Sequence, residues 1–515
     1  MSAKQNKKRQ QIRETLTKFK FEVTNEKLSM AAGLGSLMEL FDKTELKKEF
    51  IACLPERTSA KSVGSYQMAL TLMAAFLYGY DCLEDLDQFR NDPKLTALFG
   101  NATAAARTHG DFLRDFEPEH IQRLNQFLNR MSRYIFDQLK THLPEEFKPK
   151  DIVIDMDSTS HVQHGEKMEG LAYNYKNEWC LDSQVSFNSI GLCHGFQLRP
   201  GNTKSGVDAE SLIRQSFEDS KTQVERRFKF QDFFRADSAY CNQSIIKTLL
   251  DLGIHFTLTA HDGTTGWKKQ MEQEGLVWQD WVHSEEEVKK AELRGRALPK
   301  IQVSRFYWVP EWSKAQDSKL MFPIVVKRTW QPVTEKQQNT SGYQSSLFHQ
   351  QGVEHLVPWD YYAVVTNFPL NLPLENLEKS TKLTTPSGTS KSYSIQEVFE
   401  FHQVRGNSEN FIREEKYGYD LKHFPCLKLQ ANHAYGLLAM VAHNILRWVA
   451  LMTKPEKPHF SKKLRQHFIF IPAKIVYHAR VYRIKMMQRH HEGVKWLRER
   501  LRLNSEIIPP QFSSA

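Results

Sequence analysis

The spacing of the hydrophobic residues changes at Asp151, and this change divides the chain into two kinds of structure. Residues 27–145 place apolar side chains three and four positions apart, which predicts amphipathic helices such as 115–139. From Asp151 to Thr159 apolar and polar residues alternate, which predicts a strand with acids on one face. Further strands are predicted at 184–190, 193–198, 230–237 and 255–260, and helices at 208–225 and 245–252.

The predicted order after residue 150 is strand, strand, strand, helix, strand, helix, strand. This is the order of an RNase H-like core, a mixed sheet flanked by helices in which the first and fourth strands lie side by side. The first strand carries Asp151, Asp155 and Asp157 on one face, and the fourth ends at Asp237. We therefore predict an α/β fold in which acids of these two strands are neighbours.

A long stretch of the chain separates the first part of this core from the second. Residues 261–358 contain six tryptophans and two strand-like runs, which predicts a mostly β insertion with an exposed polar loop at 337–346. The core resumes with a strand at 359–366 and a helix that begins with a capping box at Ser394. We predict a helical N-terminal domain (1–148), the first part of the core (149–260), the insertion (261–358), the second part of the core with a buried helix at 424–450 (359–452), and a basic C-terminal region (453–515).

The positive charge is concentrated at one end of the chain. Lysine and arginine number 70 against 60 for aspartate and glutamate, which gives a net charge of +10 and a pI near 9.0. Residues 461–504 alone hold twelve lysines and arginines and two glutamates, again a net charge of +10. Such a run is either a solvated face or a phosphate-binding surface, and its segregation favours a polyanionic partner such as DNA.

Composition and motifs argue against several classes of protein. Six cysteines without a C-x-x-C pair disfavour a disulfide framework and a zinc finger, and they suit a reducing cytosol. The sequence has no G-x-x-x-x-G-K-[ST] loop of an ATP-driven motor, and the first residues lack the apolar stretch of a secretory signal. His161 and His164 are an alternative metal pair, but no cysteine or carboxylate pattern accompanies them.

A charged stripe is predicted on the helix from His402 to Lys416. At about 100° per residue, Arg405, Glu409 and Lys416 fall on one narrow face of an α-helix. The stripe is either a solvated face with i,i+4 ion pairs or part of a site that brings Glu409 to the upstream aspartates. Three carboxylates are enough to hold two divalent ions about 4 Å apart when phosphate and water complete the coordination, and such a pair supports phosphodiester cleavage.

The blocks around these acids resemble those of bacterial insertion-sequence DDE transposases, in the group with the signature Y-x2-R-x3-E-x6-K. Arg405, Glu409 and Lys416 match this signature at its spacing, whereas His402 stands where the signature has tyrosine. The other matching blocks are Asp157-Ser158-Thr159, Leu198-Arg199-Pro200-Gly201-Asn202, Arg235-Ala236-Asp237-Ser238 and Thr366-Asn367, and the resemblance covers about residues 25–485.

The resemblance implies a role for each residue. Asp157, Asp237 and Glu409 would be the catalytic acids that hold two Mg²⁺ ions, for which Mn²⁺ could substitute. Asp155 is the rival for the first position, although the Asp-Ser-Thr block favours Asp157. Arg405 and Lys416 would contact DNA phosphates of the element end, with His402 beside them.

The resemblance also implies an activity and partners. The protein would cleave double-stranded DNA at the terminal inverted repeats of its insertion sequence and join the 3′-OH ends to target DNA, by cut-and-paste. It would act as a homodimer on paired ends, in the cytoplasm with the nucleoid. The alternatives are a stand-alone DNA nuclease and a domesticated or inactive DNA-binding descendant of a transposase. The N-terminal domain either binds the DNA ends or has a purely structural role. The insertion either packs around a small core of its own or forms a DNA-binding surface on which aromatic side chains stack on a flipped base.

Overall fold

The structure is a computed structural model. It describes residues 28–57, 63–92, 103–218, 232–273, 275–314, 319–330, 359–371, 381–383, 392–478 and 481–503, together with residues 4, 7 and 26. The polar loop predicted at 337–346 lies outside these residues, and so does the end of the helix predicted at 208–225.

Helices form most of the described part of the chain before residue 151, as the spacing of apolar residues predicts. The α-helices are α1 (Leu34–Asp42), α2 (Leu46–Ala52), α3 (Ser65–Tyr78), α4 (Leu86–Arg90), α5 (Ala106–Arg114), α6 (Pro118–His142), α7 (Ala209–Phe217), α8 (Gln243–Asp251), α9 (Asp262–Thr265), α10 (Trp267–Gln273), α11 (Glu285–Leu293), α12 (Glu311–Lys314), α13 (Ile395–Gln403), α14 (Ser408–Arg413), α15 (Leu429–Thr453), α16 (Ser461–Leu464) and α17 (Gln488–Arg500).

Most of the strands belong to one mixed sheet. The strands are β1 (Leu28–Ser29), β2 (Ile152–Val162), β3 (Ala172–Tyr173), β4 (Trp179–Asn188), β5 (Cys193–Pro200), β6 (Asp232–Ala236), β7 (His255–Thr259), β8 (Gln279–Asp280), β9 (Ile301–Trp308), β10 (Lys319–Trp330), β11 (Trp359–Thr366), β12 (Thr381–Leu383), β13 (Ala473–His478) and β14 (Val481–Met486). The large sheet has the order β3-β4-β2-β6-β7-β11-β10-β9-β8, with β5 paired to β4 and β12 to β10. Strands β1, β13 and β14 form a separate small sheet.

The centre of the large sheet has the predicted arrangement of strands. β2 pairs antiparallel with β4 and parallel with β6, so the first and fourth strands of the core lie side by side. β6 in turn pairs parallel with β7. The fold is therefore α/β, with a mixed sheet flanked by helices, and it is compatible with an RNase H-like core.

The alternation of β2 sends its side chains to opposite faces of the sheet. Ile154 and Met156 are fully buried in a core that also contains Phe234 of β6. Asp155 and Asp157 point to the other face, because successive side chains of a strand alternate. Asp151 precedes the strand and is exposed, so two acids, and not three, share this strand face.

The long apolar helix α15 lies at the centre of the largest hydrophobic core. This core also contains side chains of the N-terminal helices and of β4 and β5. Within the described residues, α15 is the helix long and apolar enough to cross a membrane, but it is mostly buried inside the protein. The prediction of a buried helix after residue 424 is thereby confirmed, although α15 begins at Leu429.

The strands predicted in the insertion extend the core sheet. β9 and β10 pair antiparallel, and β10 pairs with β11, which pairs with β7 of the core. The described part of this stretch also contains the helices α9 to α12 beside its strands. Because the sheet is continuous here, side chains on β10 and β11 approach the core strands directly.

Candidate active site

Asp157 lies near the middle of β2 and has two partners. Its Oδ1 accepts a hydrogen bond from the backbone N–H of Ser158 at 2.8 Å, and its Oδ2 accepts one from Nη1 of Arg405 at 3.2 Å. Burial and the negative charge of Asp237 raise the pKa of Asp157 to about 6, although Arg405 opposes this shift. Two carboxylates close enough to repel one another favour a cation or a proton between them.

Asp237 follows directly after β6. Met156 and Ala236 are partners in the parallel pairing of β2 with β6, so Asp157 and Asp237 occupy corresponding positions one residue further along. Asp237 also caps a single 3₁₀ turn, because its Oδ1 accepts a hydrogen bond from the N–H of Ala239 at 2.9 Å. The sheet therefore places these two acids side by side, as the order of strands predicts.

Asp155, the rival of Asp157, is engaged in a buried ion pair. Its two oxygens accept hydrogen bonds from Nε and Nη2 of Arg235 at 2.6 and 2.7 Å, and both side chains are only 2% exposed. Arg235 also donates to the carbonyl of Phe401 at 2.7 Å and lies over the Phe401 ring. Both oxygens of Asp155 are thus engaged within the fold, whereas Asp157 is the acid of β2 that lies beside Asp237.

The stretch from His402 to Lys416 is not a single α-helix, and this expectation is corrected. After α13 ends at Gln403 the chain forms a 3₁₀ turn (Val404–Asn407), then α14, then a π-helical turn (Glu414–Gly418). The rotation per residue therefore changes twice, and a stripe calculated at 100° per residue does not persist.

Glu409 lies in the first turn of α14, and its side chain is exposed. α14 packs against β2 and β4, which brings this helix to the strand that carries Asp157. The carboxylate oxygens of Asp157, Asp237 and Glu409 do not all lie within 4.8 Å of one another; over the described residues only Asp81, Cys82 and Asp85 form such a group. The three predicted acids thus share a region of the fold without forming a closed cluster.

The two cations of the predicted stripe both contact β2. Nη1 of Arg405 donates to Asp157, and Nζ of Lys416 donates to the carbonyl of Ser160 at 2.7 Å, three residues further along the strand. Burial lowers the pKa of Lys416, with Glu415 opposing this shift. Arg405 and Lys416 are therefore brought to the same strand as the first acid, although the helix between them is irregular.

His402 is buried, with 2% exposure, and both ring nitrogens have protein partners. Nδ1 lies 2.9 Å from Oγ1 of Thr257, and Nε2 lies 3.0 Å from the hydroxyl of Tyr362 and 3.1 Å from Oγ1 of Thr259. Burial and the charge of Arg405 lower the pKa of His402 to about 3, so the ring is neutral. These contacts argue against the expected DNA contact by His402, because the ring offers neither charge nor a free nitrogen.

A second buried acid near Asp157 was not singled out from the sequence. Asp182 of β4 pairs with Arg199, whose Nε lies 2.9 Å from Oδ2 of Asp182, and Arg199 also donates to the carbonyl of Val207 at 2.7 Å. Oγ of Ser158 donates to Oγ of Ser205 at 2.6 Å, so the loop after β5 touches the strand beside Asp157. The Leu-Arg-Pro-Gly-Asn block contains Arg199, so this block was the sequence feature that could have pointed to the ion pair of Arg199 with Asp182.

Aromatic rings and cations meet on the β10–β11 part of the sheet, as the composition of the insertion suggests. The guanidinium of Arg328 lies 4.1 Å from the ring centroid of Trp278 and 4.4 Å from that of Trp359. Lys327 lies between 5.6 and 5.8 Å from the rings of Phe399, Trp281 and Tyr362. Lys327 and Arg328 are successive residues of β10, so these two groups of rings lie on opposite faces of the sheet. Tyr362 contacts His402, so the face that carries Lys327 continues to the stretch that carries Glu409.

The basic C-terminal region is not entirely a solvated charge surface. Arg465 is buried and donates hydrogen bonds to the carbonyls of Leu77 at 3.0 Å and Phe76 at 2.8 Å. Arg498 pairs with Glu39 of α1, at 3.2 Å between Nη2 and Oε1. At least these two arginines hold the fold together, and the remaining exposed lysines and arginines are the ones available to a polyanion.

The donor set of the candidate site fits a hard divalent cation. Asp157 and Asp237 offer carboxylate oxygens, which Mg²⁺ prefers, and their mutual repulsion is relieved when a cation binds between them. The exposed carboxylate of Glu409 on the adjoining helix is available as a further oxygen donor. His161 does not support the alternative histidine pair, because it is buried against Ser183 while His164 is exposed.

Comparison with known families agrees with this geometry. The family described as Transposase DDE domain group 1 matches residues 14–307 and 380–502, which is most of the chain and includes Asp157, Asp237 and Glu409. No curated protein matches the chain. With its acids on neighbouring strands of a mixed sheet and this match along most of its length, the chain belongs to the DDE transposase family.

Proposed function

We propose that this transposase cleaves DNA at the terminal inverted repeats of its insertion sequence and joins the 3′-OH ends to target DNA, with Asp157, Asp237 and Glu409 as its catalytic acids. The observation that carries this proposal is the pairing of β2 with β6, which makes Asp157 and Asp237 neighbours. The packing of α14 against β2 supports Glu409 as the third acid. The core is accordingly an RNase H-like core, with residues 261–358 as an insertion between its two parts.

Asp157, Asp237 and Glu409 would hold two Mg²⁺ ions, or Mn²⁺ in their place. When bound, these ions supply an activated water or 3′-OH and stabilise the leaving oxygen of the phosphodiester. Arg405 would contact the phosphate beside the scissile bond, and its present contact with Asp157 supports this role. Lys416 would contact a neighbouring phosphate along β2. We propose cut-and-paste transposition by a homodimer on paired ends, in the cytoplasm with the nucleoid.

The hydroxyl of Tyr362 is better placed than His402 to contact DNA from this part of the site. Tyr362 is only partly buried, and its hydroxyl is held by His402 and Thr259. Burial raises the pKa of Tyr362, and the charges of Arg405 and Asp237 act on it in opposite directions, so the phenol lies near both of them. His402 then acts as a neutral support for Tyr362 and does not itself contact phosphate.

Cleavage of a labelled duplex that carries the end sequence flanking the gene tests this proposal. With Mg²⁺ the wild type is expected to nick the duplex at the element end, whereas Asp157→Asn, Asp237→Asn and Glu409→Gln each reduce the rate by at least 100-fold, because each removes a charged ligand. Chelation with EDTA is expected to abolish the wild-type reaction.

The matched control is Glu400→Gln, which removes an exposed carboxylate of α13 and should cut like the wild type. If the three acid variants cut as well as this control, the site is wrong. Cleavage without joining of the 3′-OH to a target plasmid would indicate a stand-alone nuclease. Binding without any cleavage would indicate an inactive DNA-binding descendant.

A further inference from the structure

The π-helical turn Glu414–Gly418 follows directly after the helix that carries Glu409. Its closing hydrogen bond joins the N–H of Tyr419 to the carbonyl of Glu414, five residues back, at 3.1 Å. Such turns are rare, and they persist where side-chain contacts stabilise them, often at functional sites. The turn changes the direction of Lys416 relative to an α-helix, so whatever holds the turn also determines where Lys416 points.

Glu415 is the residue of this turn that is buried completely. Its side chain lies against the face of the sheet that β2 and β4 form. Oγ of Ser183 donates to Oε1 of Glu415 at 3.1 Å, and Nε2 of His161 lies 3.5 Å from the same oxygen and 2.7 Å from Oγ of Ser183. Within the described residues Oε2 has no hydrogen-bond partner. A buried acid in such a position is unexplained by the metal site.

The surroundings of Glu415 do not supply a counter-charge that would hold it ionised. Burial lowers the pKa of His161 on β2 to about 3, so this ring is neutral. Asp182 on β4 and Cys193 on β5 bring no positive charge, and the ammonium of Lys416 is engaged with the carbonyl of Ser160. Burial raises the pKa of Glu415 to about 8, with Lys416 opposing the shift, so the side chain is a neutral acid at neutral pH.

We propose that Glu415 is a positioning residue, whose buried side chain anchors the π-helical turn to His161 and Ser183 and thereby holds Lys416 against Ser160, beside Asp157. The inference rests on the proposed function, because it assumes that Lys416 contacts DNA phosphate. Glu415 itself touches neither metal nor DNA. Glu415 affects DNA binding only because it determines the position of the Lys416 side chain.

A double-mutant cycle tests the link between the two residues. We would measure the affinity of the full chain for the end duplex after Lys416→Gln, Glu415→Leu, Glu415→Gln and the two double substitutions. Loss of one phosphate contact is expected to weaken binding by about tenfold. Glu415→Leu should cause the same loss and add nothing to Lys416→Gln. Glu415→Gln should bind within about twofold of wild type, because the amide has the shape of the neutral acid.

Two results would overturn the proposal. Independent, multiplicative losses for Glu415→Leu and Lys416→Gln would show that Glu415 does not position Lys416. A large loss for Glu415→Gln would show that the charge of Glu415 matters, as it would in a metal ligand or a general base.

The pH dependence of unfolding tests the anchoring independently of DNA. An unfolded glutamate titrates near pH 4.3 and the buried one at about 8. The wild type should therefore lose stability relative to Glu415→Gln as pH rises from about 4 to 8, and the difference should be constant above that range. Parallel curves would overturn the proposal.

The unfolding measurement also distinguishes a failure of this inference from a failure of the proposed function. If the wild type neither binds nor cleaves the end duplex, the proposed function fails. The unfolding curves still decide whether Glu415 holds the turn as a neutral acid. If the wild type cleaves but the curves are parallel, the inference alone fails.

Discussion

At the scale of single residues, the acids near the site divide by whether an arginine accompanies them. Asp155 pairs with Arg235 and Asp182 with Arg199, and all four side chains are buried. Asp157 has only one longer contact with Arg405, and Asp237 lies near enough to raise its pKa. The two paired acids are held within the fold by their arginines, and Asp157 and Asp237, which are less fully paired, are the acids proposed to bind a cation.

Asp155→Asn is expected to lower the free energy of unfolding by about 3–5 kcal/mol, because it leaves the buried guanidinium of Arg235 without its counter-charge. Urea unfolding at pH 7.5 measures this. A loss below 1 kcal/mol would contradict a structural role for the pair. The double substitution Asp155→Leu with Arg235→Met should recover much of the loss, since it removes both charges together.

Asp157→Asn is expected to act in the opposite direction on stability. The carboxyl of Asp157 titrates at about 6 in the fold and near 3.9 when unfolded, so its ionisation destabilises the fold as pH rises from about 4 to 6 and by a constant amount above 6. At pH 7.5 without divalent ions the variant should be roughly 1–3 kcal/mol more stable than wild type. Urea unfolding across pH 4–8 checks this; a variant less stable than wild type at pH 7.5 would contradict it.

At the scale of elements, the sequence predicts the helices and strands with a regular spacing of apolar residues, but it does not predict the 3₁₀ and π-helical turns. The alternation around Asp157 and the apolar spacing of α6 depend on neighbours close in sequence, and both elements form where predicted. The stripe on 402–416 assumed a constant 100° per residue. That assumption fails because the chain forms a 3₁₀ turn at Val404–Asn407 and a π-helical turn at Glu414–Gly418. In the second turn Glu415 contacts Ser183, more than 230 residues away, and neighbours in sequence do not show such a contact. The contacts of Arg235 with Asp155, 80 residues away, and with the carbonyl of Phe401, 166 residues away, could not be predicted from the sequence for the same reason.

The face of β10 and β11 that carries Arg328 makes a separate prediction. Arg328 lies between Trp278 and Trp359, where a guanidinium held on rings can meet phosphate. Arg328→Gln should weaken binding of the end duplex about three- to tenfold and reduce the slope of affinity against salt by nearly one. Arg296→Gln, an exposed arginine on the same stretch, is the control. Equal effects of the two substitutions would make Arg328 an ordinary surface charge.

At the scale of the whole molecule, the two ends of the described chain meet each other. β1 pairs with β13, so the beginning of the N-terminal helical region joins the basic C-terminal region. α15 packs in one hydrophobic core with side chains of both regions and with side chains of β4 and β5. The N-terminal helices are therefore packed directly on the sheet that carries the candidate site.

Arg465 is the residue at which these parts converge. Besides the carbonyls of Phe76 and Leu77 at the end of α3, it donates to the carbonyl of Gly418 in the π-helical turn at 2.5 Å. Its guanidinium lies close to Gly79, where a Cβ would meet it at 3.0 Å and where φ is +99°. One buried cation thus ties the N-terminal helices and the C-terminal region to the turn that carries Lys416.

Arg465→Met should therefore differ from the loss of an exposed cation in this region. It leaves three buried carbonyls without their donor, so we expect about 2–4 kcal/mol less stability and a loss of DNA cleavage that low salt does not restore. Lys463→Gln removes an exposed charge at the same end, and it should leave urea unfolding unchanged and weaken DNA binding only in a salt-dependent manner. If Arg465→Met instead behaved like Lys463→Gln, Arg465 would belong to the DNA-binding charge of the region, and the N-terminal helices would be held to the turn by the hydrophobic core around α15 alone.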